Sequence, residues 1–242
     1  MDSLKNVISD IRIFLYGGVL TLPLTIGGTL ALLGLCTANY AMLFFLIGFL
    51  VLVPLFSTLL DKVIGSFVEG KSFNPFTAKV EGVCNLAIPY SVLPIGEVKT
   101  KNVVSSAWVA MVAFFIGYIF TNGLELYSRE SPDTTITVTS TSASDLNTMV
   151  TNRKSQAIIA MVSTIVFGLI VLGFRYYTGC ESTLGMILTT ILFVFAGHGW
   201  YQALSRVGQD RLSDLFGIAN RLLPPSAINN APIACVPVPS GN

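Results

Sequence analysis

From Ile13 to Leu60 the chain carries no Asp, Glu, Lys or Arg, an uncharged run of 48 residues. At about 20 residues per membrane crossing, a run of that length accommodates two helices rather than one. Three more uncharged runs follow, Asn102–Leu124, Ser155–Phe174 and Ser182–Ser205, of 23, 20 and 24 residues. Only 11% of the 242 residues are charged, where an ordinary soluble domain has about a quarter. The expected fold is therefore an all-α membrane protein, a bundle of about five transmembrane helices occupying residues 1–205. The spans fall at about 13–36, 41–60, 102–124, 155–174 and 182–205.

The break inside the first run is CTANY, Cys36 to Tyr40, whose Thr37 and Asn39 are the polar residues available for a turn. Lys5 and Arg12 precede the first apolar stretch, which continues too far, and without an A-x-A-like site, for a signal h-region of about 7–15 residues. It is expected to be a retained span. Eight Lys and Arg fall on the N-terminal side of a five-span arrangement and six on the other, which weakly favours a cytoplasmic N-terminus.

Two connecting segments are long. Residues 61–101 carry Pro75, Pro89 and Pro94, which interrupt any continuous helix, so short turns and extended pieces are expected there. Residues 128–154 are expected to form a Ser/Thr-rich polar loop, with TTITVTSTS, Thr134 to Ser142, inclined to an extended strand by its Thr-rich alternation. The four cysteines, Cys36, Cys84, Cys180 and Cys235, form no CxxC and so no zinc or redox motif. Pairings Cys36/Cys235 and Cys84/Cys180 are geometrically open in five spans, and unpaired thiols are the expectation.

Charge-free spans argue against ion-coupled transport and proton relays, which place ionisable residues in the bilayer. A pore lined by hydroxyls or carbonyls needs no formal charge, so a small channel or transporter subunit is the alternative reading. In the first span Gly17 with Thr21, and Gly27 with Ala31, have the small-xxx-small spacing that lets helices approach closely. Pro23 and Pro54 are expected to kink the first two spans.

His198 is the only histidine, too few for a three-ligand metal site. The run HGWYQALSR with PSG near the C-terminus invites comparison with integral-membrane lipid phosphatases. Those need a PSGH segment and a second histidine, where this chain has PSGN, Pro239 to Asn242. No P-loop, GxSxG or HExxH pattern is present either. No enzyme activity, cofactor or metal is expected, and a net charge of +1 points to no nucleic acid.

After the last span, in residues 206–242, Leu212, Leu215, Phe216, Ala219, Leu222 and Leu223 share one face of a helix of about three turns, ended by Pro224 and Pro225. Five of the chain's 11 prolines lie in the last 19 residues, which favours an extended arm there, with Ile233, Val236 and Val238 as its apolar side chains. Helix face and arm are the candidate partner-binding residues.

Gly208, Asp210 to Ile218, Asn220, Leu222 to Pro224 and Cys235 to Pro237, following a series of uncharged spans, resemble small membrane proteins of nucleocytoplasmic large DNA viruses. Viruses of that group hold a lipid membrane beneath an icosahedral shell. The resemblance implies a structural protein of a virion internal membrane that anchors capsid or minor capsid proteins through its tail. The lipid bilayer and those shell proteins are the implied partners, with self-association open.

Overall fold

The computed structural model describes residues 18–19, 21–68, 76–80, 99–102, 104–128, 143–177, 181–208 and 210–215. These residues are mostly helical, and among them four helices are long and apolar enough to cross a membrane: Tyr40–Phe67, Ala107–Ser128, Val150–Tyr177 and Thr183–Gly208. Helix α1 (Leu22–Cys36) has 15 residues. At 1.5 Å per residue that is about 22 Å, short of a hydrocarbon core of about 30 Å. The span expected over 13–36 thus coincides with an element that is itself shorter than a crossing, while residues 13–17 lie outside the described residues.

Pro23 opens α1 instead of kinking it. It sits in the first turn, where the missing N–H is one that the helix leaves unpaired anyway. The expected turn then follows. Thr37 donates its hydroxyl to the Leu33 carbonyl at 2.6 Å, Ala38 takes a left-handed φ of 50°, and the Asn39 N–H returns to the Gly34 carbonyl at 2.9 Å. Asn39 also caps the next helix, its Oδ1 accepting from the N–H groups of Ala41 (3.0 Å) and Met42 (3.4 Å).

That next helix runs as α2 (Tyr40–Ile47), a π-helical turn (Gly48–Leu52) and α3 (Val53–Val68). Pro54 lies immediately after the π turn. Its ring excludes the ordinary hydrogen bond to the carbonyl four residues back. The local answer is a wider turn, in which the Val53 N–H reaches the Gly48 carbonyl and the helix continues unbroken. The helix passes Leu60, where the sequence pattern ended it, so residues 61–68 belong to α3 rather than to a loop.

Strands β1 (Thr77–Val80) and β2 (Lys99–Asn102) pair antiparallel, Thr77 opposite Asn102 and Val80 opposite Lys99. They are extended pieces of the kind the prolines implied, one short ladder beside an otherwise helical fold. Residues 81–98 between them lie outside the described residues.

Three helices complete the bundle: α4 (Ala107–Ser128), α5 (Ala143–Tyr177) and α6 (Thr183–Gly208). The loop expected over 128–154 is shorter than that, because α5 begins at Ala143. Residues 143–154 contain neither Gly nor Pro, so nothing local stops a helix there. The strand expected at Thr134 to Ser142 lies outside the described residues.

Helix α4 is the axis of the bundle, packed on α3, α5 and α6. Val109, Ala110, Val112, Ala113 and Tyr118 along it are fully buried. The seam between α4 and α6 is made of backbone. A Cβ on Gly117 would fall on the Val194 carbonyl, 2.8 Å from its carbon, and one on Gly197 would meet the Phe114 carbonyl and lie 2.9 Å from the Tyr118 nitrogen. Only glycine permits this approach, which gives the two helices dispersion contact along their length.

Of the helix-packing residues expected in the first span, Gly27 does face a neighbour, its missing side chain leaving room for Leu50 and Phe49. Ala31 packs against the main core from a half-buried position. Thr21 is half-buried and gives its hydroxyl back to the Gly18 carbonyl, and Gly17 lies outside the described residues. The buried face of α1 is Pro23, Gly27, Leu30 and Gly34, a 4, 3, 4 spacing that turns one stripe of the helix to α2.

Candidate functional site: a clasp on the C-terminal segment

The short helix α7 (Asp210–Ser213) follows α6 after one residue and packs on both α6 and α2. Gly208 makes the reversal sterically feasible, since a Cβ there would collide with the Leu212 side chain. Leu212 folds back onto the core, and Leu215 is fully buried within it among residues that include Tyr118, Tyr201 and Leu204.

Polar bonds fix this apolar plug. The Tyr118 hydroxyl donates to the Ser213 carbonyl at 2.9 Å, and the Asn122 amide donates to Asp214 Oδ1 at 3.4 Å. Ser213 and Asp214 are both buried. The helix expected here stops early within the described residues: α7 ends at Ser213, whose carbonyl accepts the Tyr118 hydroxyl. Of the candidate partner-binding residues, Leu212 and Leu215 pack on the chain's own bundle. Phe216, Ala219, Leu222, Leu223, Ile233, Val236 and Val238 lie outside the described residues.

Tyr118 is itself held edge-to-face by Tyr201, at 5.3 Å between centroids, and by Phe45, at 4.8 Å. One turn along, Thr121 donates to the Gly117 carbonyl at 2.7 Å and lies 3.1 Å from His198 Nδ1. With the hydroxyl proton given to Gly117, that contact is satisfied when Nδ1 carries a proton. His198 is thus a positioned, hydrogen-bonded residue at the same end as the clasp. Among the described residues, no three His, Cys, Asp or Glu side chains gather into a group able to hold a metal ion. Cys36 is an exposed free thiol; Cys84, Cys180 and Cys235 lie outside the described residues.

Comparison with family models, with curated proteins and with solved structures finds no match. The site rests on its own geometry.

At the opposite end of the bundle the polar groups are ionic. Arg175 donates from Nε to Glu181 Oε1 at 3.1 Å, with both side chains buried, and the guanidinium lies 5.0 Å from the centre of the Trp108 ring. Burial pushes the Glu181 carboxyl above its ordinary range. The Arg175 charge and a hydrogen bond from Ser106 draw it part of the way back. Asp61 of α3 accepts from the N–H groups of Val104 (3.0 Å) and Ser105 (3.4 Å), placing a carboxylate at the positive end of α4. Thr189 of α6 donates to the Val104 carbonyl at 3.3 Å.

Sequence reasoning passed over Tyr118, Asn122, Asp214, Arg175 and Glu181. A signal for the α4 seam was present in Ala113, Gly117 and Thr121, small residues four apart in the second uncharged run. No local pattern pairs Asn122 with Asp214, 92 residues away.

Proposed function

We propose that this chain is a structural membrane protein, a lipid-embedded anchor whose C-terminal segment is held at a fixed origin and engages a shell or scaffold protein. The observation that carries the reading is the clasp. Leu215 is buried in the bundle and the preceding residues are bonded to Tyr118 and Asn122, so the tail has a defined origin. Its sequence, rich in proline and carrying Ile233, Val236 and Val238, suits an arm that binds in extended form with little entropy to lose.

The resemblance of the tail cassette to membrane proteins of large DNA viruses supports a virion internal membrane as the location and capsid or minor capsid proteins as the partners. In this reading α1 pairs with the helix after it as the first of five crossings. The chain performs no chemical step. His198, its one candidate base, sits against Thr121 as a packing residue.

Deletion of residues 216–242 tests the anchor role. Removing Asp210 onward would also extract Leu215 from the core and confuse loss of folding with loss of binding. The shorter deletion is expected to insert in membranes and keep its thermal stability while losing crosslinks to shell proteins. A deleted chain that assembles with the shell as well as the full chain refutes the proposal.

A further inference from the structure

A groove of about 320 Å³ opens between α3 and α6. Its floor is Val53, Phe114 and Phe193, all buried, and its rims include Phe56 and Leu192, which are exposed. It runs from Leu52 to Leu60 on one helix and from Leu192 to Trp200 on the other, about 12 Å at 1.5 Å per residue. Both stretches lie within membrane-length helices.

We infer that this groove holds one acyl chain of a bilayer phospholipid as a retained, stoichiometric ligand. Three features select that occupant. First, every lining side chain is apolar or aromatic, and the one with a donor, Trp200, gives its indole N–H to the Phe44 carbonyl at 3.3 Å, so a polar ligand would find no partner. Second, the dimensions suit an extended hydrocarbon chain, the groove running about 12 Å between two helices. A single extended chain is narrow enough, and the groove's length approaches the roughly 15 Å that one leaflet offers its chains. Third, the rims continue into the exposed apolar surface of Leu55, Leu59 and Phe195, so the mouth opens where lipid is the solvent.

The groove is also built, not merely left over. The π turn at Gly48–Leu52 delivers Leu52 to its end, and a Cβ on Gly48 would lie 2.7 Å from the Trp200 indole nitrogen. Trp200 is therefore seated by a glycine and by a hydrogen bond at one end of the cavity, a local helix distortion of the kind found at functional sites. This inference needs only the membrane-length helices and stands apart from the anchor reading.

The test titrates phosphatidylcholine bearing brominated acyl chains into the detergent-solubilised full chain while Trp fluorescence is followed. Trp200 lines the groove, whereas Trp108 is 3% exposed and packed on Arg175, so it supplies a constant background. The expected result is quenching that saturates at one lipid per chain. Ala196→Phe, a substitution at a solvent-accessible lining position, should weaken that component at least tenfold. Leu169→Phe, on the exposed side of α5, should leave it unchanged and so controls for folding. Quenching that rises without saturation and alike in wild type and Ala196→Phe overturns the proposal. So does a saturable component unaffected by Ala196→Phe, or a groove shielded from lipid in a stable dimer detected by light scattering.

Discussion

Helices α4 and α5 lie side by side, and α5 is the more hydrophobic, yet their places in the bundle are reversed from what hydropathy would give. In its most apolar window α4 is 67% buried and α5 22%. Helix α6, no more hydrophobic than α4, is also 22% buried, so hydropathy does not order the spans by depth. Small residues do. Ala110, Ala113, Gly117 and Thr121 give α4 a face on which neighbours can close to backbone contact. Helix α5 instead turns Ile159, Leu169 and Ile170 outward. Lipid is as apolar as leucine, so in a membrane the interior is selected by packing and hydrogen bonding rather than by hydrophobicity.

Substitution at glycine breaks this contrast most directly. Gly117→Leu drives a side chain into the Val194 backbone and should destabilise by about 3 kcal/mol or more, seen as a large fall in the thermal midpoint in detergent. Gly173→Leu on α5, where a Cβ meets nothing within 4 Å, should stay within about 0.5 kcal/mol of wild type. Equal losses at the two sites would mean that the seam does not organise the bundle.

Next in size is Tyr118→Phe, which leaves the Ser213 carbonyl without its hydroxyl donor and should cost about 1–2 kcal/mol. Its specific signature is faster amide hydrogen exchange over residues 210–215 with the centre of α4 still protected. Uniform acceleration along the whole chain would show that the tail is not a separable clasp.

Ala38→Gly should stabilise by about 0.5–1 kcal/mol, because the left-handed φ of 50° strains alanine and not glycine. A loss of stability on that substitution would place the hairpin turn in another conformation.

The smallest effect is a pH dependence at the ionic end. The Glu181 carboxyl is raised in the folded chain, chiefly by burial, so the folded state binds more protons than the unfolded one between the two values. Its contribution to stability is therefore greatest below the ordinary glutamate range and declines as pH rises through the raised value. Glu181→Gln, which retains an acceptor for Arg175, should flatten that slope in an unfolding series. An unchanged slope would assign the titration to another group.

How much of this was legible depends on the range of the interaction. The CTANY turn was readable because its donors and acceptors lie within six residues, Leu33 to Ala38 and Asn39 to Met42. Pro23 and Pro54 were visible, but only the second stands beside a helix distortion, Pro23 falling in a first turn and Pro54 following a π turn. In the tail, Leu212 and Leu215 insert into the chain's own bundle beside Tyr118 and Asn122, a placement that no local pattern announces.

By itself the sequence determined that its charge-poor stretches become helices, four rather than the expected five being of membrane length among the described residues, because a backbone in lipid must satisfy its hydrogen bonds within each segment. It determined the turn at Thr37 to Asn39 for the same local reason. Tertiary structure alone decided which helix forms the axis, which glycines meet backbone, and where the tail is pinned. Each of those depends on atoms from segments far apart in the chain, and lipid, being indifferent to which apolar face it touches, leaves the choice to close packing and to buried hydrogen bonds.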